Sequence, residues 1–441
     1  MSNKMMHKLL VLLVAVLAIG STIASSAPVR MQLVHTDAGL GLTPRELLHR
    51  MAQRSRARAE RLLSEGESVP VTPGKPNDDG VPDTEYLAHF AIGTPAQPVQ
   101  LTLDSGSDLI WTQCQPCISC FNQSLPVFNA SLSSTFADLS CGSAACQDLT
   151  LTSCSSAGDH SSSSTNSTPC VYGYLYGDCS VTIGALAADT FVFAGGAAVP
   201  AMAFGCGLNN TGIFTSNETG IAGFGRGHLS LPSQLKVHNF SYCFTNITGS
   251  TPSHVLLGLP ANLHSSSARG VVQTTPFIKN PAKFSTFYYL SLKGITVGST
   301  RLPTPESTFA LTNNGTGGTI IDSGTGMTTF PPDVYKLVHD AFIAQTRLPV
   351  QNATTTPLCF TLPAAGMKPD VPKLILHFDG ATLDLPRDNY MFQLQDSVTC
   401  LAVNPGGNLT IIGNYQQQNM HVLYDLANNM LSVAPAQCDQ V

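Results

Sequence analysis

Two short strings carry the strongest chemical signal in the chain. Leu101-Thr102-Leu103-Asp104-Ser105-Gly106-Ser107 recurs in the second half of the chain as Thr319-Ile320-Ile321-Asp322-Ser323-Gly324-Thr325. Each Asp closes an apolar stretch and is followed by a hydroxyl residue, a glycine and a second hydroxyl residue. A carboxylate at the end of a buried strand stays ionised only if donors surround it. Turn N–H groups with the Ser107 and Thr325 hydroxyls can supply them, and Gly106 and Gly324 allow the tight approach. One such string is ordinary turn chemistry. Two copies in matching context imply a duplicated unit that brings a pair of carboxylates together. Two carboxylates about 3 Å apart do not both ionise easily, so one serves as general base on water while its protonated partner polarises a carbonyl. That chemistry needs no metal, no cofactor and no covalent intermediate, and none is expected.

Other candidate constellations are weaker. Cys114-x-x-Cys117-x-x-Cys120 has metal-ligand spacing, but no fourth ligand follows at a suitable interval. Gly223-Phe-Gly225-Arg-Gly227 and Gly315-Thr-Gly317-Gly318 lie outside any strand-helix-strand pattern, so they read as turns rather than nucleotide cradles. The 12 histidines are scattered and none sits in a nucleophile motif.

The elements that position the two Asp strings read as strands. Tyr86–Ile92, Val99–Leu103 and Phe287–Leu292 alternate or run apolar between Gly and Pro punctuation, whereas only Pro332 to Gln345 has a clear helical pattern. Ile221-Ala222-Gly223 is echoed by Ile411-Ile412-Gly413, a second sign of two related β lobes. Only 11% of the 441 residues are charged, which excludes a disordered chain, a coiled coil and a basic nucleic-acid binder. The chain is therefore expected to be mostly β.

The segment before Asp83 differs in character. Lys4 and Lys8 precede the eleven apolar residues Leu9 to Ile19, too few for a membrane span, and small residues follow to Ala27, so residues 1–27 read as a secretory signal peptide. Residues 28–82 read as a propeptide. Thr43 and Glu46 form a capping box with Pro44 at the first helical position, and six Arg against two Glu from Pro44 to Arg61 make a basic helix of net charge +4. Asp83 to Val441 carries 12 basic and 21 acidic residues, so the basic segment is complementary to the body it precedes. Pro70 to Pro82 is a plausible processing linker. No apolar tail ends the sequence, and no membrane partner is expected. Ten Asn-x-Ser/Thr sequons, at Asn122, Asn129, Asn166, Asn209, Asn217, Asn239, Asn246, Asn314, Asn352 and Asn408, and thirteen cysteines agree with a secretory route, with only part of the sequons expected to be occupied.

Longer strings resemble a known family. Asp104 to Trp111 (DSGSDLIW), Phe204-Gly205-Cys206-Gly207, Leu229 to Leu235 (LSLPSQL), Ser241-Tyr242-Cys243 and Ile411 to Asn419 (IIGNYQQQN) are similar to those of pepsin-like aspartic proteases of the cysteine-rich, nepenthesin-like plant branch. The resemblance covers Tyr86 to Cys438. It implies a bilobal β fold, an N-terminal lobe at 83–265 and a C-terminal lobe at 266–441, with the cleft between them. It further implies that Asp104 and Asp322 are the catalytic pair, that Tyr176 in Tyr172 to Ser180 (YGYLYGDCS) is the flap tyrosine, and that Trp111 donates its indole N–H to it. By the same resemblance twelve cysteines pair in six bridges. Cys179, standing where the family usually has the flap-tip glycine, is left over as a free, solvent-reachable thiol. The first motif has Ser105 where the family more often has Thr, which keeps the hydroxyl. The implied activity is a secreted aspartic endopeptidase, made as a zymogen held by its own basic propeptide. It would work at acidic pH on polypeptide substrates as a monomer, in the apoplast with the vacuole as the alternative. The competing reading is an inactive relative that binds another protein, as the plant xylanase inhibitors do.

Overall fold

The computed structural model describes residues 29–35 and 86–441, except 155–167, 215–216, 248–250, 260, 264–268, 282–284, 352–357, 365–366 and 396. The signal peptide, the basic helix, the processing linker, the sequons at Asn166 and Asn352 and the lobe boundary at 265/266 therefore lie outside the described residues. The polypeptide is mostly β. Strand β1 (Val29–His35), β2 (Tyr86–Ile92), β3 (Gln97–Asp104) and β4 (Trp111–Gln113) belong to one sheet of fifteen strands that spans both halves of the chain. Its centre runs from Asn239–Cys243 through Ser253–Leu257 to β1, β2 and β3, and its far strands, Met420–Asp425 and Met430–Pro435, come from the C-terminal end of the chain. A five-stranded sheet carries the second Asp motif, and two four-stranded sheets complete the C-terminal half.

The sequence echo is a structural repeat. β3 runs into Asp104 and pairs in parallel with Gly220–Gly223, which in turn pairs antiparallel with β4. In the other half Thr319–Ile321 runs into Asp322 and pairs in parallel with Thr410–Ile412, which pairs antiparallel with Thr328–Phe330. Each apolar-apolar-Gly string thus crosses beside the end of one Asp strand. The glycines are there for close approach: a Cβ on Gly223 would sit 2.2 Å from the carbonyl carbon of Asp108, and one on Gly413 2.6 Å from that of Met327.

Between the halves lies an aromatic core. Phe240 stacks on Tyr424 at 4.3 Å, Tyr288 meets Tyr424 edge-on at 4.7 Å, and all are fully buried. The helix Pro332–Gln345 spans the range the sequence predicts, with Pro at its first turn, and buries Val334, Val338 and Phe342 at four-residue spacing. Six disulfides join Cys114–Cys206, Cys117–Cys120, Cys141–Cys154, Cys146–Cys170, Cys243–Cys438 and Cys359–Cys400. The Cys-x-x-Cys-x-x-Cys run is thereby consumed in bridges. The cluster of Cys141, Cys146 and Cys154 is likewise consumed in two bridges, so no thiolate there is free to ligate a metal. Among the described residues no helix is long and apolar enough to cross a membrane.

Candidate active site

Both aspartates are buried, Asp104 at 1% and Asp322 at 0% exposure, and the two turns hold their carboxylates alike. Asp104 Oδ1 accepts the Gly106 N–H at 2.9 Å and Oδ2 accepts the Ser107 hydroxyl at 2.6 Å. Asp322 Oδ1 accepts the Gly324 N–H at 2.9 Å and Oδ2 accepts the Thr325 hydroxyl at 2.7 Å. Each buried carboxylate thus has one backbone donor and one hydroxyl donor, the same pair in both turns.

The decisive contact is one that sequence reasoning missed. Ser105 N–H donates to Ser323 Oγ at 2.9 Å, and Ser323 N–H donates to Ser105 Oγ at 2.9 Å. Ser323 Oγ–H also donates to the Leu103 carbonyl at 2.9 Å. This reciprocal exchange binds the two Asp turns to each other across the molecule. The signal was present in the sequence, since a hydroxyl residue follows each Asp. A partner in the other half of the chain is nevertheless invisible without the fold.

Beneath the turns a buried polar layer fixes their backbone. Tyr242 hydroxyl donates to Gln417 Oε1 at 2.5 Å and shares a bond with the Tyr424 hydroxyl at 2.8 Å. Gln417 Nε2 donates to the Ile412 carbonyl at 2.9 Å and to that of Asp322 at 3.4 Å. Burial raises the phenol pKa of Tyr242 and of Tyr424, keeping both protonated. Tyr242 and Gln417 lie inside strings quoted for their resemblance, but the sequence did not reveal their positioning role.

Over the first turn folds the hairpin formed by Val171–Leu175 and Val181–Val192. Tyr176 lies at its bend, 6% exposed, and its hydroxyl accepts the Trp111 indole N–H at 2.7 Å. Trp111 is itself fully buried, against Phe214 and Phe121, so core packing and the link to the hairpin coexist in one side chain. Tyr174, beside Tyr176, accepts the Asp108 N–H at 3.3 Å. At the tip Cys179 adopts φ +75°, a left-handed conformation that costs any residue with a Cβ. It is exposed and is the free cysteine among the described residues. Asp178 caps the tip by accepting the Ser180 N–H at 2.9 Å and its hydroxyl at 2.8 Å.

Two family models, described as the xylanase inhibitor N-terminal and C-terminal regions, match residues 86–259 and 287–435. Nepenthesin-1 of Nepenthes gracilis, an aspartic proteinase, is 44% identical over 418 residues, covering 93% of this chain and 90% of its own length. The chain belongs to the nepenthesin-like family of plant aspartic proteinases. Nepenthesin-2 of the same plant is 41% identical with the same coverage of both chains, and aspartyl protease family protein 2 of Arabidopsis thaliana is 35% identical over 436 residues, 93% of this chain and 85% of that one. Solved structures share the fold: edgp, at a TM-score of 0.67 and 19% identity, covers 94% of this chain and 98% of its own. Soybean basic 7S globulin, at 0.63 and 21%, covers 82% and 97%.

Proposed function

We propose that this nepenthesin-like proteinase is a secreted endopeptidase that cleaves polypeptides at acidic pH with Asp104 and Asp322 as its catalytic pair. The observation that carries this reading is the reciprocal Ser105–Ser323 exchange, which holds two equally built, buried carboxylate turns against each other. In the working state one carboxyl of the pair is protonated. The charged member takes a proton from water as the water attacks the peptide carbonyl, and the protonated member polarises that carbonyl oxygen. A proton then passes to the leaving nitrogen. Ser107 and Thr325, with the Gly106 and Gly324 amides, stabilise whichever carboxylate is charged. Tyr176, oriented by Trp111, closes over the bound strand and excludes water. A pair that must be singly protonated favours acidic pH.

Residues 28–82 act as the propeptide in this reading. Support comes from β1, whose backbone pairs with Ser253–Leu257 on one side and β2 on the other, with Met31 and Leu33 fully buried. A chain released near Pro82 would have to give up that strand or keep it bound after cleavage. The mature enzyme acts as a monomer outside the cell.

The second reading, an inactive binder, draws on the name of the two matching family models. The complete pair and the complete Tyr176–Trp111 link weigh against it. The deciding experiment is digestion of an unfolded protein by the acid-treated chain, with and without pepstatin and beside Asp104→Ala. Cleavage abolished by both supports the proteinase. No cleavage once the propeptide is gone supports the binder.

A further inference from the structure

Asp108 is a third carboxyl at the first turn, four residues beyond Asp104. Its Oδ1 accepts the Gly227 N–H at 2.8 Å, and its Oδ2 accepts the hydroxyl of Thr286 at 2.6 Å, a residue 178 positions away that leads into the strand Tyr288–Leu290 of the C-terminal half. The surrounding chain is built to admit it. A Cβ on Gly225 would lie 2.4 Å from Oδ1, and one on Gly227 2.3 Å from Oδ2. Next to it, Arg226 N–H donates to the Thr286 carbonyl at 2.9 Å, and the Tyr288 hydroxyl donates to the Phe224 carbonyl at 3.0 Å. The Asp108 N–H reaches Tyr174 on the hairpin at 3.3 Å. One residue therefore touches the Asp104 turn, the glycine-rich crossing strand, the hairpin and the other half of the molecule.

We propose that Asp108 is a positioning residue: its carboxylate clamps the first aspartate turn to the second lobe through Thr286 and places a second negative charge behind Asp104. The assignment rests on the proteinase reading, because the charge matters only if Asp104 works in a pair. The groups that face Asp108 are Asp104 in its own turn, Tyr174 on the hairpin, His228 beyond the crossing strand, and Tyr288 from the second lobe, against which Arg226 lies. Burial pushes the Asp108 carboxyl above the ordinary carboxylate value. The Thr286 and Gly227 bonds pull it back down, and Asp104 adds a smaller upward push. The Thr286 and Gly227 bonds strengthen when Asp108 is charged, but burial outweighs them, so the fold loses stability as this carboxyl ionises. The same charge opposes loss of the last proton of the Asp104–Asp322 pair, so it extends the active state toward higher pH.

The test uses the acid-processed full chain and Asp108→Asn, Asp108→Ala and Thr286→Val. Asparagine can keep both contacts, its oxygen accepting from Gly227 and its amide donating to Thr286, while removing the charge. Asp108→Asn is expected to move the alkaline limb of the kcat/KM profile to lower pH by about one unit, the scale of single-charge effects in proteins. Thr286→Val should raise KM more than it lowers kcat, and Asp108→Ala should lose activity at every pH. An Asp108→Asn profile that superimposes on the wild type, or falls equally at all pH values, would overturn the assignment. Thermal midpoints from pH 4 to 7 supply a readout independent of activity: the wild type should lose stability relative to Asp108→Asn as pH rises. If the wild type cleaves nothing, the proteinase reading fails. Parallel midpoints would then refute the charge assigned to Asp108 by themselves.

Discussion

The two aspartate turns share one design and differ in what surrounds it. Each carboxylate takes an N–H from the second residue on, at 2.9 Å in both turns, and a hydroxyl from the third, at 2.6 Å in the first turn and 2.7 Å in the second. Around Asp322 the support is amide-rich and wholly buried. Asn414 Nδ2 donates to the Ser323 carbonyl at 3.0 Å, Gln416 Oε1 accepts the Thr328 N–H at 2.8 Å, and Gln417 reaches the Asp322 carbonyl. Around Asp104 the support reaches outward, through Asp108 to the second lobe and through Trp111 to the hairpin. Where the second turn has Gly326 in the fourth position, the first has Asp108. Duplication supplied two equivalent carboxylates. One turn is enclosed by buried amides, and the other is connected to the hairpin and to the second lobe.

Breaking the shared element should have the largest effect. Ser105→Ala or Ser323→Ala leaves a buried N–H of the opposite turn without its acceptor, at about 1–3 kcal/mol each, and displaces the carboxyls enough to cost on the order of 10²-fold in kcat/KM. In a double-mutant cycle the two losses should be strongly non-additive in denaturant unfolding and in kinetics. Additive effects would mean that the turns are held together by something else. Next in size, Tyr176→Phe deprives the buried Trp111 N–H of its acceptor, at about 1–3 kcal/mol in stability, and slows turnover. No equivalent substitution near Asp322 should affect closure over the substrate, which stopped-flow fluorescence of the single Trp can follow.

The pH dependence sharpens the contrast further. The Asp108 pKa is raised in the fold, so its contribution is fully present below the ordinary carboxylate value and is lost as pH rises through the raised one. Asp108→Asn should flatten that decline in thermal melts, whereas Gly326→Ala, in the second turn, should leave the slope unchanged. The smallest effect concerns the hairpin tip. Cys179→Gly relieves a left-handed residue and should raise stability by about 0.5–1 kcal/mol in denaturant unfolding. A thiol reagent should label native Cys179 at one equivalent. Protection of that thiol would contradict its exposure.

The features written as local strings were legible in the sequence, and those made by distant contacts were not. Both Asp turns, their glycines and hydroxyls, the paired apolar-apolar-Gly crossings and the Pro332–Gln345 helix all follow from spacing and alternation within short stretches. The Tyr176–Trp111 geometry was accessible only through family resemblance, because 65 residues separate the pair. The serine exchange, the Asp108–Thr286 bond and the Tyr242–Tyr424–Gln417 layer join residues at least 175 apart, so they depend on how the halves face each other. Gly223-Phe-Gly225-Arg-Gly227 read as a plain turn because its reason, the volume of the Asp108 side chain, lies 119 residues upstream. β1 alternates apolar and polar from Val29 to Leu33, a strand signal that the reading of residues 28–82 as one propeptide passed over, and its place in the sheet depends on the edges that β2 and Ser253–Leu257 offer it.

The most direct test of the central claim is kcat/KM at acidic pH for Asp104→Asn, Asp322→Asn and the double variant, with circular dichroism confirming that each is folded. If the two carboxylates act as a unit, each single variant should lose activity to the level of the double, by on the order of 10⁴-fold or more. A single variant that keeps a substantial part of the wild-type rate, or losses that multiply in the double, would show that the turns do not form one catalytic pair.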